Sequence, residues 1–203
     1  MTKPPSGNYQ IASDTRLAQL TQQGDLYAYE HLVRRHQHRL ICFLNFYNPD
    51  RRIVEDVAGD IFIQCYRQMD RIERKGNFRT GLYAIACDFL PRLAASRPAT
   101  VPVPSPGIST ERGPGQRPVT DEHPESIWPT VRAMTNGEEF RLLWFRFGDR
   151  LSLENIATIS GAPVADCKLK LWRLRIRLWP QLRHAFDQPP TAARTVSPRN
   201  EAA

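Results

Sequence analysis

The sequence has no long apolar run. No stretch approaches the roughly 18 residues that a membrane-spanning helix needs. The first ten residues are polar, carry Pro4, Pro5 and Gly7, and lack the apolar centre of a secretory signal. We therefore expect a cytoplasmic protein that has no membrane partner.

Motifs for catalysis and metal binding are also absent. The chain has no Gly-rich phosphate loop, no HExxH and no GxSxG, and its His36 and His38 do not face one another on a helix. The cysteines form no CxxC motif, and their apolar helical settings favour buried free thiols over a disulfide framework or a zinc site. There are four, at Cys42, Cys65, Cys87 and Cys167. We predict a protein that is not an enzyme and that carries no metal and no cofactor.

Positive charge is in excess. The 203 residues include 28 Lys and Arg against 21 Asp and Glu, which gives a net charge of +7. This balance favours a polyanionic partner such as nucleic acid, although many soluble proteins are basic too.

Prolines divide the chain into two blocks. Pro, Gly, Ser and Thr crowd residues 91–129, where missing amide donors and fixed φ angles disfavour helices and central strands. We predict a disordered N-terminus (1–13), a helical domain (14–93), a flexible Pro-rich linker (94–129), a second helical domain (130–186) and a disordered tail (187–203). Strand-like alternation is absent over any useful length, so the predicted fold class is all-α, with two small helical domains.

The N-terminal block has the apolar spacing of four helices. Asp14 and Asp25 are candidate N-caps of the first two. The third helix is predicted to start near Arg52. The fourth follows Asn77 and is predicted to end before Pro91.

The C-terminal block contains a helix-turn-helix pattern. Ser152 is a good N-cap for a short helix that carries Ile156 and Ala157 on its apolar face. Gly161 supplies the backbone freedom for a tight turn, and a second helix is predicted to begin near Val164.

The second helix of this pattern has two faces. Apolar residues recur at the spacing of one buried face, at Cys167, Leu171, Leu174 and Leu178. The remainder is mostly basic, with Lys168, Lys170, Arg173, Arg175 and Arg177. Such a helix can enter a DNA major groove. An isolated basic run is more often a solvated face, but the attached turn favours DNA contact.

These residues resemble region four of the sigma-70-type RNA polymerase sigma factors, in their short extracytoplasmic-function (ECF) class. The pattern L-S-x-x-E-I-A-x-x-x-G-x-x-x-x-T-V-K-S-R-L-x-R-A-R is matched at Leu151, Ser152, Ile156, Ala157, Gly161, Lys168, Leu171, Arg173 and Arg175. The N-terminal block resembles region two, because residues 54–62 are similar to A-E-D-L-V-Q-E-V-F and residues 78–86 to F-R-x-W-L-Y-x-I-A. The order of the two halves and the linker between them make the match specific.

The resemblance implies a subunit that binds core RNA polymerase and promoter DNA, with an anti-sigma factor as a further candidate partner. Polymerase binding would involve Asp56, Asp60, Ile61 and Phe62. Contact with the upstream promoter element would involve Asp166, Lys168, Lys170, Trp172, Arg173 and Arg175. For Phe62, packing in the core is as good an interpretation as contact with polymerase. For Trp172, packing is as good an interpretation as contact with DNA.

Some residues depart from the family pattern. Gly59 stands in place of Gln and Gly81 in place of Trp. Asp166 replaces Thr, and its carboxylate either repels DNA phosphates or accepts a hydrogen bond from a cytosine amino group. Cys87-Asp88 and Leu90-Pro91 replace residues that in the family help to melt and bind promoter DNA.

Three functions therefore fit the sequence. The first is a divergent sigma factor, and the second is a sigma-like regulator that has lost part of the activity. The third is a helix-turn-helix repressor or activator that works without polymerase. Such a regulator would need a dimer for a palindromic site, and no heptad repeat is evident in the sequence to supply one.

Overall fold

The structure is a computed structural model that describes residues 9–74, 77–96 and 127–187. Within these ranges it contains α-helices and one π-helical turn but no strand, so the all-α prediction is confirmed. The elements are α1 (Asp14–Gln22), α2 (Leu26–Asn45), α3 (Arg51–Arg67), α4 (Met69–Arg74), α5 (Phe78–Ala95), α6 (Trp128–Ala133), α7 (Gly137–Leu143), the π-turn (Trp144–Gly148), α8 (Leu153–Ser160) and α9 (Val164–Asp187).

The predicted disordered tail lies almost wholly outside the described residues, as do most of the predicted linker and N-terminus. The predicted division into two domains stays a prediction. No helix in the described part of the chain is long and apolar enough to cross a membrane.

Side-chain caps explain where most of the N-terminal helices begin. Asp25 caps α2, as predicted, by accepting hydrogen bonds from the amides of Tyr27 and Ala28. Asn77 caps α5 in the same way. The prediction that Asp14 caps α1 is wrong, because Ser13 has the extended backbone and its hydroxyl accepts from the Arg16 amide.

The predicted end of the fourth helix is also wrong. α5 runs through Pro91 and continues to Ala95. A proline inside a helix removes one amide donor and costs about 3 kcal/mol relative to alanine. Packing beyond the proline offsets this cost. The Leu93 side chain is buried, and the side-chain amide of Asn48 donates a hydrogen bond to the backbone carbonyl of Leu93 at 3.2 Å.

The described chain has an N-terminal half (α1 to α5) and a C-terminal half (α6 to α9). These two halves pack on each other through aromatic rings. Phe43 in α2 and Tyr83 in α5 each contact Phe145 of the π-turn, with ring centroids 5.6 and 5.0 Å apart. Phe46 lies 4.9 Å from Phe140 of α7. α8 also packs against α5. The buried residues of both halves therefore form one continuous hydrophobic cluster.

Candidate nucleic-acid interface

α8 and α9 form the predicted helix-turn-helix. The Ser152 hydroxyl caps α8 by accepting from the Asn155 amide at 3.2 Å. α8 ends at Ser160 and is followed by its C-cap Gly161, whose φ of 63° lies in the left-handed region that favours glycine. Pro163 follows, and α9 begins at Val164. The positions of the cap, the turn and the second helix are confirmed.

The apolar face predicted for α9 is its buried face. Its four residues are all at most 8% exposed: Cys167, Leu171, Leu174 and Leu178. They pack against α7 and α8, which fixes the rotation of α9 about its own axis. All the other side chains of α9 between Val164 and Pro180 are consequently exposed.

The basic residues of α9 fall into two groups. Lys168, Arg173 and Arg175 are exposed and make no ion pair within the described residues. Lys170 instead donates to Glu138 at 2.6 Å, and Arg177 donates to Glu139 at 2.7 Å. The hydrogen bond to Glu138 raises the pKa of Lys170. These two cations are thus held against α7.

Asp166 and Trp172 are also on the outward surface of α9. Asp166 lies in the first turn and is exposed. Trp172 is 59% exposed, so core packing, the alternative for this residue, is not what the structure shows. Five of the predicted DNA-contacting side chains therefore share the outward surface of α9: Asp166, Lys168, Trp172, Arg173 and Arg175.

The residues predicted to bind polymerase separate into two sets. Asp56 and Asp60 are exposed on α3. Ile61 and Phe62 are buried in the core, at 0% and 7% exposure, so contact with a partner through them would require core side chains to leave their packing.

The sequence-based assignment missed Ile63. This residue is 51% exposed and follows Asp56 and Asp60 at helical spacing, on the same face of α3. Tyr66, 41% exposed, continues that face. The signal was available, because Val54, Ala58, Ile61, Phe62 and Cys65 form the complementary buried stripe.

A buried carboxylate joins the two halves. Asp149, directly after the π-turn, is 1% exposed and accepts from Arg39 of α2 at 2.8 Å. Arg39 also donates to the Gly148 carbonyl at 2.9 Å, and Arg79 of α5 donates to the Asp149 carbonyl at 3.1 Å. The pKa of Tyr83 is raised well above its ordinary value, mainly by burial and secondly by the negative charge of Asp149.

The cysteines are free, as predicted, and of the four Cys65 and Cys167 are buried whereas Cys42 and Cys87 are half-buried. Burial raises the pKa of the Cys65 thiol to about 12 and that of Cys87 to about 11, so few thiolates form near neutral pH. Within the described residues, no group of three His, Cys, Asp or Glu side chains is arranged to hold a metal ion.

Known proteins similar to this chain were found by sequence and by structure. No protein-family model matches the chain. The RNA polymerase sigma-H factor of Pseudomonas aeruginosa is 27% identical over 177 residues, which cover 80% of this chain and 90% of that protein. The ECF RNA polymerase sigma-E factor of Escherichia coli is 28% identical over 176 residues, covering 80% and 91%.

A solved structure shares the fold. CnrH, determined in complex with the cytosolic domain of CnrY, superimposes with a TM-score of 0.61 at 18% sequence identity. The match covers 86% of this chain and 99% of that one. The arrangement of helices described above is therefore an established fold.

Proposed function

We propose that this chain, whose resemblance to the ECF sigma factors is confirmed by these relatives, is a sigma factor that binds core RNA polymerase and directs promoter-specific transcription initiation. The observation that carries the proposal is the outward surface of α9. It presents three exposed cations, Lys168, Arg173 and Arg175, in the helix that follows the helix-turn-helix turn, and none of them has an ion pair with another described residue.

The DNA-binding part of the proposal follows from groove geometry. A recognition helix lies in the major groove with its early residues near base edges. Asp166 and Lys168, in the first two turns of α9, are in that position. Arg173 and Arg175 lie further along, where phosphates are within reach. Lys170, predicted as a DNA contact, would first have to leave Glu138.

The polymerase-binding part is supported by the exposed face of α3. This face carries two carboxylates, Asp56 and Asp60, four residues apart, and a large apolar residue, Ile63, one turn later. Carboxylates at that spacing repel each other slightly, so a basic partner surface would relieve the repulsion. The face thus combines charge and apolar area in the way that protein interfaces do.

An anti-sigma factor is a candidate third partner. The CnrH structure was determined with the cytosolic domain of CnrY bound to it, so this fold can hold a second protein.

Binding to a randomised promoter pool at two salt concentrations tests the DNA interface. Arg173→Ala should lower the salt slope by about 0.9 if it removes one phosphate contact, or cost about 1–3 kcal/mol at one base pair if it removes a bidentate base contact. Arg177→Ala is the matched control on the same helix, because Arg177 is held by Glu139. It should change neither quantity.

Asp166→Thr distinguishes the two roles open to that carboxylate. If Asp166 only repels phosphates, the variant should bind all DNA more tightly. If it accepts from cytosine, discrimination at one base pair should fall. Unchanged affinity and salt slope in both Asp166→Thr and Arg173→Ala would mean that α9 does not contact DNA.

A further inference from the structure

α9 carries a second apolar surface, on its solvent side. Four large residues form it, and each is 44–59% exposed: Leu169, Trp172, Ile176 and Trp179. We call these four residues the apolar stripe. Single exposed apolar residues are common, but a continuous row of four on one helix indicates a contact surface.

The spacing of the apolar stripe is that of a helix-pairing surface. Its members are three, four and three residues apart, which are the a and d positions of two heptads. Because an α-helix has 3.6 residues per turn, the four residues lie within an arc of about 80° around the helix axis. The centre of this arc is roughly 150° from the centre of the buried face.

DNA does not account for the apolar stripe. Base edges in the major groove present hydrogen-bonding groups, and the thymine methyl is the apolar feature there. Two half-exposed indoles and two branched aliphatic side chains in one row match the interdigitating side chains of a partner helix better.

Positive charge borders the apolar stripe on both sides. Lys168 and Arg175 lie along one edge and Arg173 along the other, and none of them has an ion pair within the described part of the chain. In a pair of identical helices these cations would face one another and repel. The border therefore disfavours a second copy of this chain and favours a partner with acidic residues beside its apolar face.

We propose that the apolar stripe docks an amphipathic helix of a partner protein, one whose apolar face is bordered by Asp and Glu. The partner's carboxylates pair with Lys168, Arg173 and Arg175 while its apolar residues cover Trp172 and Ile176. Those cations are the ones proposed above to contact DNA. A bound partner helix therefore excludes DNA from α9, a consequence that rests on the proposed function, whereas the docking itself does not.

Two synthetic three-heptad helices test the proposal on the full-length chain. Both have leucine at every a and d position. One has glutamate beside the leucines, and the other has lysine at the same places. The glutamate peptide should bind, and the lysine peptide should bind at least about tenfold more weakly, because opposite charges across a helix pair select the partner.

A matched pair of double variants assigns the binding surface. Leu169→Gln with Ile176→Gln should weaken the glutamate peptide at least about tenfold, since two apolar contacts are lost. Leu26→Gln with Ile11→Gln changes the same residue types at 63% and 82% exposure, away from α9, and should bind as the unaltered chain does. Circular dichroism should show equal helical content in all three proteins.

Several outcomes would overturn the proposal. One is equal binding of the two peptides, and another is unchanged binding by the Leu169 and Ile176 double variant. Sedimentation that shows a dimer of the full chain, lost in that variant, would assign the apolar stripe to a second copy. Binding that appears only after residues 188–203 are deleted would assign it to the chain's own tail. If the peptide binds but DNA does not, the docking stands and the proposed promoter contact fails.

Discussion

Asp14 shows how one carboxylate connects two helices. It lies in the first turn of α1 and contacts α2, where its oxygens accept from His36 at 2.8 Å and from Arg35 at 3.0 Å. The hydrogen bond from His36 is the main cause that lowers the pKa of Asp14 from its ordinary value of 3.8 to about 2, and Arg35 adds to it. Partial burial opposes the shift without reversing it.

This lowered pKa predicts acid sensitivity. A carboxyl with a depressed folded-state pKa contributes its stability fully above about pH 4 and loses it as the pH falls through about 2. Asp14→Asn should therefore lower the free energy of unfolding by about 1 kcal/mol near pH 6, after a discount for the partial exposure of the group. The loss should shrink towards pH 2.

Urea unfolding at a series of pH values measures this dependence. Glu30→Gln is a suitable control, because Glu30 forms an exposed pair with Arg34 in the same region. Such pairs contribute little. A difference between wild type and Asp14→Asn that stays constant from pH 6 to about pH 2 would contradict the assignment.

At the scale of helices, two glycines in similar positions have opposite surroundings. Gly59 is exposed on α3, and an added Cβ would meet nothing within 4 Å. Gly81 is buried in α5, and an added Cβ would lie 2.6 Å from Cγ2 of Ile72. Gly81 therefore permits the close packing of α4 on α5, where the family pattern has Trp.

Alanine at these two positions should have opposite effects. Gly59→Ala should stabilise the protein by about 0.5–1 kcal/mol, because alanine favours the helix. Gly81→Ala gains the same preference but crowds Ile72, and overpacking of this kind costs about 1–3 kcal/mol, so the net effect is a loss. Parallel urea titrations of the two variants measure both signs. Stabilisation by Gly81→Ala would mean that Ile72 moves aside freely.

The sequence allowed accurate prediction of elements that local chemistry controls. Ser152, Gly161 and the buried spacing of α9 placed the helix-turn-helix correctly, since caps, turns and periodicity act over a few residues. The end of α5 was mispredicted for the opposite reason. Local chemistry stops a helix near Pro91, whereas Asn48, far away in the sequence, stabilises its continuation.

The same difference between local and long-range interactions applies to the site residues. Asp56 and Asp60 were predicted on α3, and both are exposed there. Ile61 and Phe62 were chosen by family analogy, although the periodicity of α3 already marks them as buried. The pair of Arg39 and Asp149 could not have been predicted, because nothing local indicates an approach between residues 110 positions apart.

At the scale of the whole molecule, Asp149 holds the C-terminal half against α2. Its carboxylate is buried and its hydrogen-bonded partner Arg39 is partly exposed. Arg39→Met keeps an apolar stem but leaves the carboxylate without this donor. Removing one member of a buried ion pair costs about 3–5 kcal/mol, and the exposure of Arg39 reduces this to about 2 kcal/mol.

A double-mutant cycle measures the coupling between the two residues. Asp149→Asn should also destabilise the protein, and the double variant should recover part of the combined loss, because the unpaired charge has been removed. Strict additivity of the two single effects would show that the pair contributes no coupling to the contact between halves.

Run-off transcription with bacterial core polymerase tests most directly the proposal that this chain directs RNA polymerase to promoters. Wild type should bind the core enzyme and yield promoter-specific transcripts. Asp56→Arg with Asp60→Arg should weaken core binding and reduce the transcripts in parallel while helical content is unchanged, because the substitutions reverse the charge of the exposed α3 face. Specific DNA binding by a chain that neither binds core polymerase nor supports any transcript would contradict the account.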